Sequence, residues 1–454
     1  MAKDLRTFLD QIKDRTLTIG KPVDPLTQLG GLCALAEQPI AFEQVVGYPG
    51  WKVVDRLFAT RDLVALAAGV SPGRLVPELA GRWLRPPRHP ARTVATGPVK
   101  ERVFRGRDAD VDRVPVVVSS PEDSGRFLSG AHLVSVNPAT GDQNAAFCRV
   151  ELKGDGLLSA GVYRPDTLRN IALYKERGRT TMPVALCIGH HPAYDLSASA
   201  SLHHPGYSEH EMAGNLLDAS VELTPCETVD LKVPAAMEIV IEGEMDLTRH
   251  VANGPFGEYT VHYGYDPRGY GIRVTGLMMR GDAIYRHLNA TRFTDHQVLT
   301  GTAHCVQIYD DLIRKGHDVR DVTFPPYGGR LLMFVKAVPK YDGEVRDMFF
   351  TASARNTMNK FTIFVDDDVD LDDPRDVFHV LATNADPIAS VVTVDGLPTN
   401  ILNPTGRNRT SPYTAVSGKM MIDATRGSTM GSPERRKEME RIGYWPGIRL
   451  EDFA

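Results

Sequence analysis

The middle of this 454-residue chain is written in short apolar runs bounded by turn residues, and that restricts it to a core built on sheet. Val114-Pro115-Val116-Val117-Val118, the run from Ala146 to Leu152, and Met237 to Ile241 all read as extended. Two helices interrupt them. The first starts at Pro165, a favoured first-turn residue, and runs to about Gly178. The second starts at Ser208 with Glu211 three residues on, a capping box, followed by Met212, Leu216 and Leu217 at helical spacing. The flanks alternate instead. Leu5, Phe8, Leu9 and Ile12 share one helix face, Phe361 to Val365 is a buried-strand signal, and Val377 to Leu381 and Pro433 to Arg441 read as helices. Arg85-Pro86-Pro87-Arg88-His89-Pro90 is a connection. The class expected is α/β (α+β), with α/β terminal regions around a β-rich centre.

Charge narrows the function. Lysine plus arginine number 52 and aspartate plus glutamate 57, a formal net charge of -5, too mild to argue for nucleic acid or an anionic membrane. Cys33, Cys148, Cys187, Cys226 and Cys305 are odd in number and widely spaced, the usage of a reducing compartment. No apolar run has membrane-spanning length and the first residues lack a signal-peptide core, so a cytoplasmic protein is expected.

Sharp motifs are few. Walker loop, G-x-G-x-x-G, H-E-x-x-H and G-x-S-x-G patterns are missing. The histidine pairs 190/191 and 203/204 are adjacent residues that point apart and so rarely chelate together. Asp366-Asp367-Asp368 follows a strand and reads as a solvated turn rather than a magnesium site. Asn253-Gly254-Pro255-Phe256-Gly257-Glu258 reads first as a hairpin turn. Its glycines and proline also permit close backbone approach to a ligand, and a glutamate on its rim suits proton transfer if burial lifts its pKa.

That segment resembles the E-G-P-F-G-E loop of UbiD-type decarboxylases, including the ferulic and cinnamic acid decarboxylases. Other blocks are similar in order and spacing, from about residue 130 to 430. They are Asn144-Ala145-Ala146-Phe147-Cys148-Arg149, Arg164-Pro165-Asp166-Thr167, Met182 to Gly189, Tyr207-Ser208-Glu209, Pro225 to Pro234, Phe364 to Val369 and Gly418 to Thr425. The resemblance implies a central split β-barrel that binds flavin, flanked by α/β domains. Its divisions are 1–112, 113–300 for prenylated-FMN binding, and 301–454 for dimerisation and the closing helix. It implies a reversible, non-oxidative decarboxylation of an aromatic or heteroaromatic carboxylic acid. The cofactor comes from a flavin prenyltransferase, and the assembly is a homodimer or larger homo-oligomer.

By the same resemblance Arg149 orients the carboxylate, Glu258 donates the proton, and Asn253 belongs to their network. Asn144, Ala145, Ala146, Phe147, Cys148, Arg149, Asp166, Thr167, Glu209 and Lys419 fall at cofactor-binding positions. Asn144, Thr167 and Glu209 fall at positions of a divalent metal, manganese or magnesium, bridging to the flavin phosphate. Ser199 and Ser201 lie near a monovalent-cation loop for potassium. Two departures stand out. Asn253 replaces the first loop glutamate, so a Glu-Arg-Glu network becomes Asn253-Arg149-Glu258. Thr167 replaces a metal-ligand histidine. The competing readings are an α,β-unsaturated aliphatic acid as substrate, a plain FMN oxidoreductase, and a non-enzymatic flavin binder.

Overall fold

The structure, a computed structural model, describes residues 3–83, 85–200, 207–290, 295–407, 414–442, 448 and 452. At its centre is a sheet of nine strands among the described residues, every pairing antiparallel. In spatial order the sheet runs Phe127–Leu128, Arg149–Gly154, Leu157–Gly161, Tyr270–Met279, Ile239–His250, Thr181–Ile188, His132–Val136 and Gln143–Phe147, with Arg102–Arg105 also paired to Tyr270–Met279. The strand Gln143–Phe147 ends one side of this order, and Arg149–Gly154 lies next to the other side. One residue, Cys148, connects them. Such a short link requires the sheet to curl until its two sides meet, which makes it a barrel split at Cys148. The barrel interior is filled by alternating side chains such as Val150, Leu186, Ile241 and Ile272.

The expected run from Ala146 to Leu152 is therefore two strands on opposite sides of the split. Val114 to Val118 is not a strand. Pro115 lacks a donor, and the Val116 amide closes back on the Val114 carbonyl at 2.7 Å, so no ladder forms. Val114, Val116 and Val117 are still buried. Both interrupting helices are present. Pro165–Glu176 starts on its proline, and Glu209–Leu217 carries the Ser208/Glu211 capping box.

The first part of the chain contributes a four-stranded sheet of Leu17–Ile19, Ile40–Phe42, Lys52–Asp55 and Ile284–Arg286. Its last strand comes from beyond the barrel, so this sheet is sewn to the barrel covalently. Arg102–Arg105 likewise belongs by pairing to the central sheet. The last part is a mixed sheet in the order Val319–Thr323, Leu332–Ala337, Phe361–Val365, Thr414–Asp423 and Val391–Asn400. Helices Glu344–Arg355 and Pro374–Asn384 lie in this part, and the Pro433 helix ends at Glu438. Asp366 follows its strand and pairs with Arg426 and Arg436 at 3.3 and 2.9 Å, so this acid binds arginine within the fold.

The 20-residue helix Asp295–Arg314 bridges barrel and C-terminal part. Its head is fixed by Asp295, whose carboxylate accepts from the Leu57 and Phe58 amides at 3.0 and 2.6 Å and from Arg286 at 2.6 Å. Among the described residues no single helix is long and apolar enough to cross a membrane.

Candidate active site

Arg149 begins its strand at the barrel split, and all three guanidinium nitrogens are engaged. Nε donates to Asn253 Oδ1 at 2.7 Å, Nη1 to Glu258 Oε1 in an ion pair, and Nη2 to the Tyr163 hydroxyl at 3.3 Å. Asn253 bonds both ways, since its Nδ2 donates to the Ser159 carbonyl at 2.7 Å. The Asn253–Glu258 segment is not a hairpin turn. Asn253–Gly257 is a short strand paired with Tyr263–Asp266, and Glu258 opens the turn that joins them. Gly254 at φ +103° takes a conformation open to glycine, and its amide donates to Glu151 at 2.9 Å. Glu258 is buried. Burial raises its pKa and the guanidiniums of Arg149 and Arg330 pull it back, leaving the carboxyl above its ordinary value.

Arg149 and Glu258 face a cavity of about 320 Å³, within the range of small-molecule sites. Phe147, Phe256, Leu288, Met358, Ile401 and Leu402 give it flat apolar walls. Its charge is lopsided: among the described residues Arg149, Arg164 and Arg330 line it against one carboxylate, Glu258. Arg164 is presented here because Pro165 forces it into extended backbone at the helix N-cap. Burial and the neighbouring Arg330 charge lower its pKa to about 10. Arg330 sits at φ +58° after two glycines, with its guanidinium 4.7 Å over the Tyr259 ring and donating to His304 at 3.0 Å. His296, Thr300 and His304 recur at four-residue spacing, so one face of the long helix forms a wall. Burial and the Arg330 and Arg164 charges hold His296 neutral, down to about 3. Arg330, His296 and His304 escaped the sequence reading, and Arg164 entered it only as part of a matched block, without a role at the site. The recurrence of polar residues at 296, 300 and 304, one helical turn apart, was the one signal available for the histidines.

Several positions expected to bind a cofactor line this space. Phe147, Cys148 and Arg149 line the main cavity. Ala146 and Thr167 line a small pocket beside it that shares Phe147 and Cys148. Burial pushes the Cys148 thiol up to about 12, which keeps it protonated at neutral pH. Asp166 is half-buried in the first turn of its helix. Lys419 is placed otherwise. Its amine donates to the Ser353 and Asn356 carbonyls and to Asn359 at 2.7–3.1 Å, closing the C-terminal end of helix Glu344–Arg355. It is not among the cavity-lining residues.

A flavin phosphate and an organic acid both fit this chemistry. Among the described residues Arg330 Nε and His296 Nδ1 are buried without a partner, and the arginine excess suits an anion beside a flat apolar body. A divalent metal fits less well. Asn144 Oδ1 already accepts from Thr167 at 3.1 Å and Ser135 at 3.3 Å, and Glu209 accepts from the Ala145 amide at 2.9 Å. The three residues gather around one strand, but they offer a single carboxylate. No group of three or more His, Cys, Asp or Glu that could hold a metal occurs among the described residues. Ser199 gives its hydroxyl to Leu196 and its carbonyl to Arg164, each at 2.6 Å. Ser201 and the 203/204 histidine pair lie outside the described residues. His190 and His191 are both buried, and His191 caps its own helix.

Comparison with known proteins agrees with the fold. Three family models match in order. They are the N-terminal domain of 3-octaprenyl-4-hydroxybenzoate carboxy-lyase over residues 11–83, its Rift-related domain over 92–292, and its C-terminal domain over 297–424. Among solved structures, the UbiD-class enzyme HmfF from Pelotomaculum thermopropionicum in complex with FMN is 29% identical with a TM-score of 0.89. The match covers 99% of this chain and 100% of that one. An evolved dimeric form of HmfF in complex with prFMN is 28% identical with a TM-score of 0.86, covering 100% of both. An apo 3,4-dihydroxybenzoic acid decarboxylase from Enterobacter cloacae shares the fold, with a TM-score of 0.88 at 23% identity over 100% and 99%. The chain belongs to the UbiD family of carboxy-lyases.

Proposed function

We propose that this chain decarboxylates an aromatic or heteroaromatic acid, reversibly and without net oxidation, using prenylated FMN. The buried Arg149–Glu258 pair on the wall of an arginine-rich cavity carries this reading. The FMN and prFMN complexes of HmfF support the cofactor. Loss of carbon dioxide from an sp² carbon leaves an unstabilised electron pair, and prenylated FMN when bound supplies the sink for it.

The chain's own residues do the rest. Arg164, Arg330 and His304 would hold phosphate oxygens, with Phe147 and Cys148 against the flat body. Asn144, Thr167 and Glu209 would close the phosphate end. Arg149 orients the substrate carboxylate with its planar fork. Phe256, Leu288, Ile401 and Leu402 exclude water from the reacting carbon. Glu258 donates its proton to the carbon that carbon dioxide has left. Burial favours this, because a carboxyl above its ordinary pKa keeps more of its acid form at neutral pH. In the reverse direction Glu258 takes the proton back. No step is routed through a divalent metal or potassium. The homo-oligomer and the prenyltransferase source of cofactor belong to the same proposal, as does a cytoplasmic location.

Co-expression with a flavin prenyltransferase, followed by the absorbance spectrum and carbon dioxide release from a panel of acids, tests it. A spectrum unlike that of FMN and release from aromatic or heteroaromatic acids are expected. Bound FMN with release from none of the acids, or from unsaturated aliphatic acids alone, would overturn it.

A further inference from the structure

Asn253 leaves Arg149 one acid short of the two expected from the Glu-Arg-Glu pattern. The structure holds another acid at the position directly across the ribbon. In the pairing of Asn253–Gly257 with Tyr263–Asp266, Asn253 is opposite Asp266. Asp266 Oδ2 accepts from the Tyr163 hydroxyl at 3.0 Å, and the same hydroxyl oxygen accepts from Arg149 Nη2 at 3.3 Å. The other Asp266 oxygen accepts from the Arg268 amide at 2.9 Å, so the carboxylate is held at both ends. The Tyr163 ring lies 5.7 Å from the guanidinium carbon and lines the cavity.

We propose that Asp266, acting through the Tyr163 hydroxyl, is the second acid of the Arg149 network, standing in for the carboxylate that Asn253 lacks. The inference rests on the roles given above to Arg149 and Glu258. Both residues are positioning residues: they share the guanidinium with Glu258 and so set how firmly Glu258 keeps its proton. Tyr163 remains a phenol, since burial raises its pKa and Asp266 adds to the rise against the pull of Arg149. It is thus a neutral bridge between cation and anion. Without Asp266 the guanidinium turns wholly to Glu258, whose ionised form gains. Among the described residues the other charged and titratable groups facing Glu258 are Arg330, Asp123, Tyr259 and Tyr163; of these Tyr163 holds Asp266 directly and is the route by which its loss acts.

The test is an infrared pH titration of the cofactor-free protein. The protonated-carboxyl band of Glu258 is identified by its loss in Glu258→Gln. Asp266→Asn and Tyr163→Phe should each lower the Glu258 midpoint by ~0.5–1 pH unit. The double variant should shift it no further than either single one, and Asn253→Glu in the Asp266→Asn background should return it. Tyr163→Phe removes one oxygen and carries the test if Asp266→Asn misfolds. A midpoint unmoved in Tyr163→Phe, shifts that add in the double variant, or no return with Asn253→Glu overturns the proposal. Because no turnover is read, failure of the acid panel would count against the decarboxylation reading and leave this result standing.

Discussion

Gly264 lies so close to Glu258 that a Cβ there would stand 2.9 Å from the Glu258 Cγ and 2.9 Å from Arg149 Nη1. The ion pair closes over a backbone position with no side chain. Gly264→Ala should therefore separate the pair, because both neighbours are held from behind by Asn253, Tyr163 and the turn after Glu258. Overpacking of this kind costs about 1–3 kcal/mol. Turnover should fall at least about tenfold, the equivalent of ~1.4 kcal/mol in the barrier, and comparison of steady-state rates with urea midpoints checks both.

Glu209 gives a pH-dependent stability. Burial raises its pKa to about 7, only partly countered by the Ala145 amide. A carboxyl whose pKa is raised by folding stabilises the fold at pH below its unfolded value. That contribution is lost as pH climbs through the folded value, here between about 4.5 and 7. The amount at stake is on the order of 3 kcal/mol. Glu209→Gln removes the titration while keeping an acceptor for the amide. The cofactor-free variant should melt above the parent at pH 8 and close to it at pH 5, as read by calorimetry at both values.

Asp295 ties three parts of the molecule together and sets the head of the helix that carries His296 and His304. Asp295→Asn removes the carboxylate nearest Arg286, leaving that buried guanidinium to Asp55 and Asp195 at 3.4 and 3.7 Å. Breaking one partner of such a buried network costs about 3–5 kcal/mol. Chemical denaturation should show that loss, and FMN retention should drop with it because the cavity wall shifts.

Val261 closes the turn after Glu258 at φ +60°, a left-handed conformation that a β-branched residue resists, and it is 57% exposed. Val261→Gly should stabilise the protein by about 0.5–1 kcal/mol, the relief of strain exceeding the entropy glycine adds to the unfolded chain. A rise in melting temperature checks the sign.

Much of the fold was legible where one local rule dominates. The Ser208/Glu211 box and Pro165 mark helix starts through bonds made within four residues, and both appear as read. Val114 to Val118 misled because β-branched composition reports burial, whereas a ladder also needs donors that Pro115 and a folded-back Val116 do not offer. That Arg149 and Glu258 come together was legible only through a family pattern, since the two are 109 residues apart. Arg330 and Tyr163 could not be read, because what makes them polar walls of one cavity is the curl of the barrel and the docking of the last part of the chain. Lys419 shows the converse. A lysine in a matching motif satisfies helix-end carbonyls instead of facing the cavity.

The most direct measurement is carbon dioxide release by the prenylated-FMN-loaded protein and its Glu258→Gln variant on the acid that the panel selects. Both should load cofactor equally, judged by their spectra. The variant, unable to protonate carbon, should lose about a thousandfold in turnover, within the range of a lost general acid. A Glu258→Gln protein that loads the cofactor and releases carbon dioxide at the parent rate would contradict the account.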